Sequence, residues 1–314
     1  AQTSTIRVDN ATGAGLLRAA VNCSGGGEVI ADWVGRVSVS APIVVSEGTF
    51  LSVTGEGDLA EVHAGGSHTR LFEVSPSASL TLTRLKLLGG SAVGGGAIFS
   101  DSAELTLDNC TFESNVATTG SGGAVWANGG NVTIVGVKFW GNSAARYGGA
   151  VHSVDGKLVV QGESRFESNT AIGGGALFCG LGEVRLENQH AVCSVTDAEF
   201  VSNSASRAIQ GENDQEEDVH DFTYLVGGGA AMFLFASVDI TDSEFSGNHA
   251  LLAGGALHGG LDTNVSVNGC RFVDNNGKYG GTISASSMTL GGGTQLTNNL
   301  ALDAGGAVSA TKNS

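Results

Sequence analysis

His152 is the first residue in the chain that invites a chemical reading. In RYGGAVHSVDG (146–156) it follows Gly148-Gly149-Ala150-Val151. An imidazole there could act as a base, ligate a metal or sit idly at the surface, and the diglycine could be a tight turn or a loop that meets a ligand. The second candidate is the acidic stretch RAIQGENDQEEDVHDFTYLV (207–226), which carries Glu212, Asp214, Glu216, Glu217, Asp218, Asp221 and His220. Clustered carboxylates suit calcium, with Glu212, Asp214, Glu216 and Asp218 as its ligands. Their spacing does not follow the EF-hand pattern, so a solvated loop is the better reading, and no other cofactor is implied.

The other reactive residue types point away from catalysis. No phosphate-binding loop, zinc spacing or nucleophile elbow is present. Asp155, Glu163, Asp197, Asp242 and Asp274 are scattered around turns and read as ordinary solvation. No catalytic residue is assigned, and the chain is read as a non-enzyme. The five cysteines are odd in number, so at least one is free or pairs with another chain. Cys179 and Cys193 bracket a local insertion and could close it as a disulfide, or both could be small core residues. Cys110 and Cys270 read as buried free thiols, and Cys23 has no evident partner. Asn-x-Ser/Thr sequons begin at Asn10, Asn22, Asn109, Asn131 and Asn264, as would suit a secreted glycoprotein.

The elements that hold these residues are repetitive. Gly-Gly, a small residue and usually an aliphatic one recur eight times, at Gly95, Gly122, Gly148, Gly174, Gly228, Gly254, Gly280 and Gly305. Successive copies are 25–27 residues apart, except for one interval of 54. Between them lie FESN (112–115), FWGN (139–142), FESN (166–169), FVSN (200–203), FSGN (245–248), FVDN (272–275) and the weaker LTNN (296–299). The segments leading into each Phe alternate as strands do, as in NVTIVGVKF (131–139). One such unit cannot bury its apolar positions alone, but a stack of them can. The expected fold is all-β: a single-stranded parallel β-helix, or solenoid, with about 26 residues per coil and about 4.8 Å of rise per coil.

In that stack Asn115, Asn142, Asn169, Asn203, Asn248, Asn275 and Asn299 form a ladder of side-chain amides, and each is expected in the left-handed conformation of a sharp corner. The residues after the aliphatic positions are expected to face outward: Phe99, Trp126, His152, Phe178, Met232, His258 and Ser284. Such a stripe could bind sugar rings or a partner chain, or be covered by a loop or by lateral packing.

Composition narrows the function further. The formal charge is −16 with only 15 Lys and Arg, which argues against nucleic acid. Without a run of about 18 apolar residues, no spanning helix is expected. The chain begins at Ala1 without a leader, so a secreted form would already have lost its signal. Residues 1–314 are expected to form one domain: a cap and irregular coils over 1–90, then repeat coils over 91–314 with insertions near 180–190 and 206–226. AGLLRAAVNC (14–23) reads as a short helical cap. The last copy, GGAVSA, lacks a strand pair and a Phe-Asn corner after it, which leaves the final core face uncapped, either by truncation or for another protein to cover.

The pairing of Gly-Gly-Ala-Ile/Val/Leu with Phe-x-x-Asn over about residues 94–308 resembles the repeats of chlamydial polymorphic outer membrane proteins. That resemblance implies a right-handed helix and the role of a surface adhesin, although no C-terminal membrane barrel is expected within residues 1–314. A broader resemblance, to the pectin-lyase-like β-helix, includes polysaccharide lyases and epimerases, but the motifs that mark polygalacturonases and alginate epimerases are not apparent. The leading expectation is an extracellular or cell-surface structural or adhesive protein, self-associating or joined to other chains in a filament or coat. The alternatives are a carbohydrate-active enzyme with its site near 180–226 and a glycan-binding module that uses the stripe.

Overall fold

The computed structural model describes residues 5–8, 27–31, 35–55, 60–182, 190–206, 227–304 and 306–310. They form a parallel β-solenoid of about nine turns, each of about 27 residues. Among the described residues there is no helix. The expected cap at 14–23 lies outside them, as do Cys23, Asn10, Asn22 and the acidic cluster Glu212, Asp214, Glu216 and Asp218.

Each coil contributes to three parallel sheets. The diglycine face holds the long strands Ile98–Asp108, Val125–Val135, Val151–Gln161 and Leu257–Asn268. The phenylalanine face holds short strands such as Thr111–Glu113, Lys138–Trp140 and Ser164–Glu167. The third face is narrower still, with Val116–Ala117, Ser143–Ala144 and Thr170–Ala171. The irregular first coils join the same sheets, so Val37, Val62 and Leu87 stand in register above Phe112.

Burial explains the repeat. Phe112, Phe139, Phe166, Phe200, Phe245 and Phe272 are fully enclosed and stack at centroid distances of 4.7–4.9 Å. That spacing is set by the strand ladder, and each ring contributes roughly 1.5–3 kcal/mol of burial. Ile98, Val125, Val151, Leu177, Ala231, Leu257 and Ile283 form the facing column.

The two glycines of each pair do different work. The first turns the chain at positive φ, as at Gly148 (62°). The second sits where two backbones meet. A Cβ on Gly149 would overlap the carbonyl oxygen of Gly175 and stand 2.6 Å from the Thr170 nitrogen. The solenoid is therefore thick at the Phe column and thin at the diglycine, where the backbone of the following Asn corner presses on it.

The left-handed residue at the Asn corner is not the Asn itself, contrary to expectation. It is the residue before it: Ser114, Gly141, Ser168, Ser202, Gly247, Asp274 and Asn298, with φ between 53° and 62°. This leaves each ladder Asn free to turn its amide into the interior.

A methyl at the thin point should be far costlier than a methyl at an open turn. Gly48 has φ 68° with nothing within 4 Å of its missing Cβ, so Gly48→Ala should cost only about 1–2 kcal/mol of conformational strain. Gly149→Ala should cost at least about 3 kcal/mol. Denaturant midpoints of the two variants check this, and equal losses would contradict a backbone contact at Gly149.

Candidate functional site

The asparagines form a continuous column, buried from Asn115 to Asn275 and half-buried at Asn299. Asn115 Nδ2 donates to Asn142 Oδ1 (2.9 Å), Asn142 to Asn169 (3.0 Å), Asn169 to Asn203 (3.0 Å), Asn203 to Asn248 (3.0 Å), Asn248 to Asn275 (2.9 Å) and Asn275 to Asn299 (2.9 Å). The other Nδ2 hydrogen goes to a main-chain oxygen of the preceding coil, such as Phe112 O for Asn142 (3.0 Å). Each Oδ1 from Asn142 onward also accepts the main-chain N–H of the Asn one coil before it, and Asn115 Oδ1 accepts that of Gly90. The amides are thus saturated, which is what full burial requires.

The outward stripe is in register but is not exposed as expected. His152 (7%), Phe178 (3%), Met232 (0%), His258 (6%) and Ser284 (5%) are buried, and only Phe99 and Trp126 are half-buried. Both faces of Leu177–Gly180 and Ala231–Leu234 are covered. Val154, Phe178, Met232 and Leu234 make a second apolar cluster, against which Tyr147 and Phe235 pack. The covering reading of the stripe therefore describes these positions. The sequence did carry the signal: CG after ALF, and AMFLF at 231–235, are apolar runs rather than alternations, the mark of a strand buried on both sides.

His152 is enclosed by aromatic rings, stacked on Phe178 (4.7 Å) and Tyr147 (6.3 Å) and edge-on to Trp126 (5.9 Å). Its Nδ1 has no hydrogen-bond partner among the described residues. Burial drives its pKa down to about 3, so the ring is neutral at physiological pH. Burial likewise raises the Tyr147 phenol. At the end of the stripe the Arg70 guanidinium lies over Phe99 at 5.0 Å and donates to Gly94 O and Gly95 O.

Cys179 and Cys193 form a disulfide across the first insertion, with Cα atoms 6.4 Å apart. Both sulfurs lie in the solenoid core, so the bond and the inward placement occur together. Cys110 and Cys270 are buried free thiols, and burial pushes the Cys110 thiol up to about 11, away from reactivity. The sequon residues Asn109, Asn131 and Asn264 are exposed. Among the described residues no cluster of three His, Cys, Asp or Glu side chains could hold a metal, and no helix is long and apolar enough to cross a membrane.

Beside the insertion lies an open groove of about 580 Å³, lined by Gly130, Asn131, Asp155, Gly156, Lys157, Leu181, His190 and Val192. Its floor is bare backbone. A Cβ on Gly130 would overlap Ala103 O, and one on Gly156 would overlap Gly130 O. Asp155 accepts the Gly182 N–H at 2.8 Å, and His190 Nε2 meets Asp262 at 3.1 Å. The expectation of a site near 180–226 falls beside this groove, but no binding role was read for its lining residues Asn131, Asp155 or Lys157. A further legible trace is a pair of glycines, Gly130 and Gly156, one coil apart inside strands, where glycine marks a close approach.

Residues 109–128, which contain one Phe-x-x-Asn and one diglycine motif, match the family model described as the Chlamydia polymorphic membrane protein repeat. None of the curated proteins matches the chain. Among solved structures, ORF18 of Geobacillus virus E2 aligns over 86% of this chain and 59% of its own, at 13% identity and a TM-score of 0.46. The chain thus spans 59% of that protein's length.

Two tests follow from the buried groups. An unfolded chain takes up a proton on His152 near its ordinary value of 6.5, whereas the folded chain does so only near 3. Stability should therefore fall as pH drops through that window, because the unfolded state binds the extra proton. His152→Phe, which repeats the side chain of Phe178, should flatten the fall, as melting temperatures between pH 7 and 4 would show. Replacing Cys179 and Cys193 together by Ala should cost about 3 kcal/mol, the loop-closure value for a span of this length. Urea unfolding checks it, and an unchanged midpoint would contradict a covalent staple.

Proposed function

We propose that this chain is a secreted or cell-surface β-solenoid with a structural or adhesive role. The observation that carries the reading is the match of residues 109–128 to the Chlamydia polymorphic membrane protein repeat, on a chain that carries the diglycine motif eight times and the Phe-x-x-Asn motif six times. The core disulfide adds support, because such bonds persist in oxidising compartments outside the cytosol. The fold suits a display scaffold. Its interior is a fixed set of columns, while the outer face of each strand and the insertions vary from coil to coil.

The phenylalanine face carries paired charges on its exterior. Arg36, Glu61, Lys86 and Glu113 run along it as a chain of ion pairs, followed by Lys138, Glu167, Arg165 and Glu199 and then by Arg271 with Glu244. Alternating charge of this kind solvates a sheet face and discourages association through it. Lateral assembly through the stripe loses its support as well, since the stripe is covered. Contacts with partner chains belong instead to the remaining outer surface.

Antibody labelling and protease shaving of intact source cells test the location. The chain should be reached without permeabilisation or recovered from the medium. Labelling only after permeabilisation would overturn the reading.

A further inference from the structure

We propose that Asn128 is a site of spontaneous covalent modification, at which the side-chain amide is lost and an aspartyl or isoaspartyl residue is left. The main-chain nitrogen of Gly129 attacks Cγ of Asn128. The new C–N bond closes a succinimide ring, and the amide nitrogen departs as ammonia. Water then opens the ring at either carbonyl. One opening gives aspartate, and the other gives isoaspartate, with the main chain rerouted through the former side chain. Nothing in this chemistry needs an enzyme or depends on where the chain is located.

Asn-Gly is the pair in which this closure is least hindered, because glycine puts no side chain beside the attacking nitrogen. The described residues contain three such pairs, beginning at Asn128, Asn268 and Asn276. The fold treats them differently. Asn276 is half-buried with its Oδ1 enclosed. Gly277 after it lies in the third sheet, paired with Ala250 and Ala301, where a Cβ would stand 2.8 Å from the Gly255 nitrogen. Asn268 is half-buried and donates to Ser266 Oγ at 3.2 Å, and the Gly269 nitrogen already donates to Gly291 O at 3.4 Å. Asn142 and Asn203 of the ladder precede serines, but their amides are buried and saturated.

Of the three, Asn128 alone is exposed. It stands at a kink inside Val125–Val135, where Gly129 and Gly130 are both left-handed at φ 77°. The register passes from Asp101↔Asn128 to Ala103↔Gly130 on one side and from Asn128↔Val154 to Gly130↔Gly156 on the other. Gly129 therefore has no register partner in either neighbouring strand. Ser102 and Asp155, which occupy the same place in those strands, are left-handed too. A peptide set outside the ladder can swing toward the side chain while the pairs on either side of it stay closed. The amide it approaches lies at the surface, where its Nδ2 donates to Asp101 Oδ1 at 3.2 Å.

The product disturbs two contacts. A carboxylate at position 128 has no hydrogen to give Asp101 and faces it across one coil, and like charges directly opposite destabilise a ladder. Isoaspartate also lengthens the main chain by one atom just before Gly130. The missing Cβ of Gly130 stands 2.6 Å from the Ala103 nitrogen, so the kink has no slack to absorb the extra length.

The test holds the full chain in warm neutral buffer and follows its peptides by mass spectrometry, beside a sample kept unfolded in guanidinium chloride. In the folded chain the amide-to-acid mass gain should appear at Asn128 several-fold faster than at Asn268 or Asn276. In denaturant the three rates should converge, because the fold that separates them is gone. Labelling with isoaspartyl methyltransferase should mark the aged peptide, and Asn128→Gln should abolish the mark. Asn128→Asp should lower the melting temperature by less than ageing to isoaspartate does, since it adds the charge without the extra main-chain atom. Conversion at Asn268 or Asn276 as fast as at Asn128 in the folded chain, or an intact Asn128 when its denatured counterpart has converted, would overturn the proposal. An aged chain that melts like the fresh one would overturn the placement of the product against Asp101 and Ala103.

Discussion

The solenoid depends on one close approach, that of the second glycine in each diglycine to two other stretches of backbone. The missing Cβ of Gly123 stands against Gly149 of the next coil and Ser143 of the next Asn corner, and Gly149, Gly175, Gly229 and Gly255 repeat the arrangement. Nothing but hydrogen fits there. The contact fixes both the vertical register of the coils and their thickness at that point. The Ala or Gly two residues beyond each ladder Asn follows from the same constraint, because Ala117, Ala144 and Ala171 are buried in that thin region with no room for a longer side chain.

Once register is fixed there, the remaining columns align of necessity. The Phe rings come to lie at the strand spacing with interplanar angles of 15° or less. The Asn amides come within hydrogen-bond reach of one another at 2.9–3.0 Å. The two columns stabilise by different physics. The Phe column removes apolar surface from water and is tolerant in detail, as Leu296, Leu87 and Val62 in the same register show. The Asn column is intolerant, because a missing member leaves buried N–H and C=O groups unpaired on both neighbouring coils, at roughly 1–3 kcal/mol each. A polar ladder beside an apolar one opposes slippage. A coil shifted by one residue would put amides against rings.

What could be read from the chain follows the same division. The diglycines and the Phe-x-x-Asn corners are legible because a stack places equivalent residues in equivalent surroundings, so the spacing alone yields coil, sheet type and inward columns. The exposure of His152, Phe178 and Met232 was not legible from spacing. Alternation shows only that a side chain leaves the core, and whether water or protein meets it depends on what crosses that face. The apolar run at 231–235 held part of the answer, since a strand wetted on one side has no use for Met232, Phe233 and Leu234 in succession. The left-handed corner was misplaced by one residue for a local reason. Asn tolerates positive φ, but here the ladder side chain is needed inside, and the preceding Ser, Gly, Asp or Asn takes the left-handed conformation instead.

The groove was hidden for a different reason. Its residues come from three separate places: Asn131 and Gly130 on one strand, Asp155 to Lys157 on the next, and Leu181, His190 and Val192 around an insertion. No local motif joins them, and only the register Gly130↔Gly156 and Lys157↔Val192 brings them side by side. The repeat must bury the same side chains in every coil, so it leaves its own interior no freedom to build a site. That freedom exists where the repeat is interrupted. The coil between Gly174 and Gly228 carries both insertions, and the disulfide that closes the first of them is set into the core where the repeat elsewhere places Val and Leu, as Val238, Leu158 and Val132 in the register of Cys193 show. Anchoring a variable segment through an invariant column lets the outer surface change without disturbing the stack. Function in this fold is therefore to be sought beside the interruption, not along the repeated motifs, which are already occupied with holding the coils together.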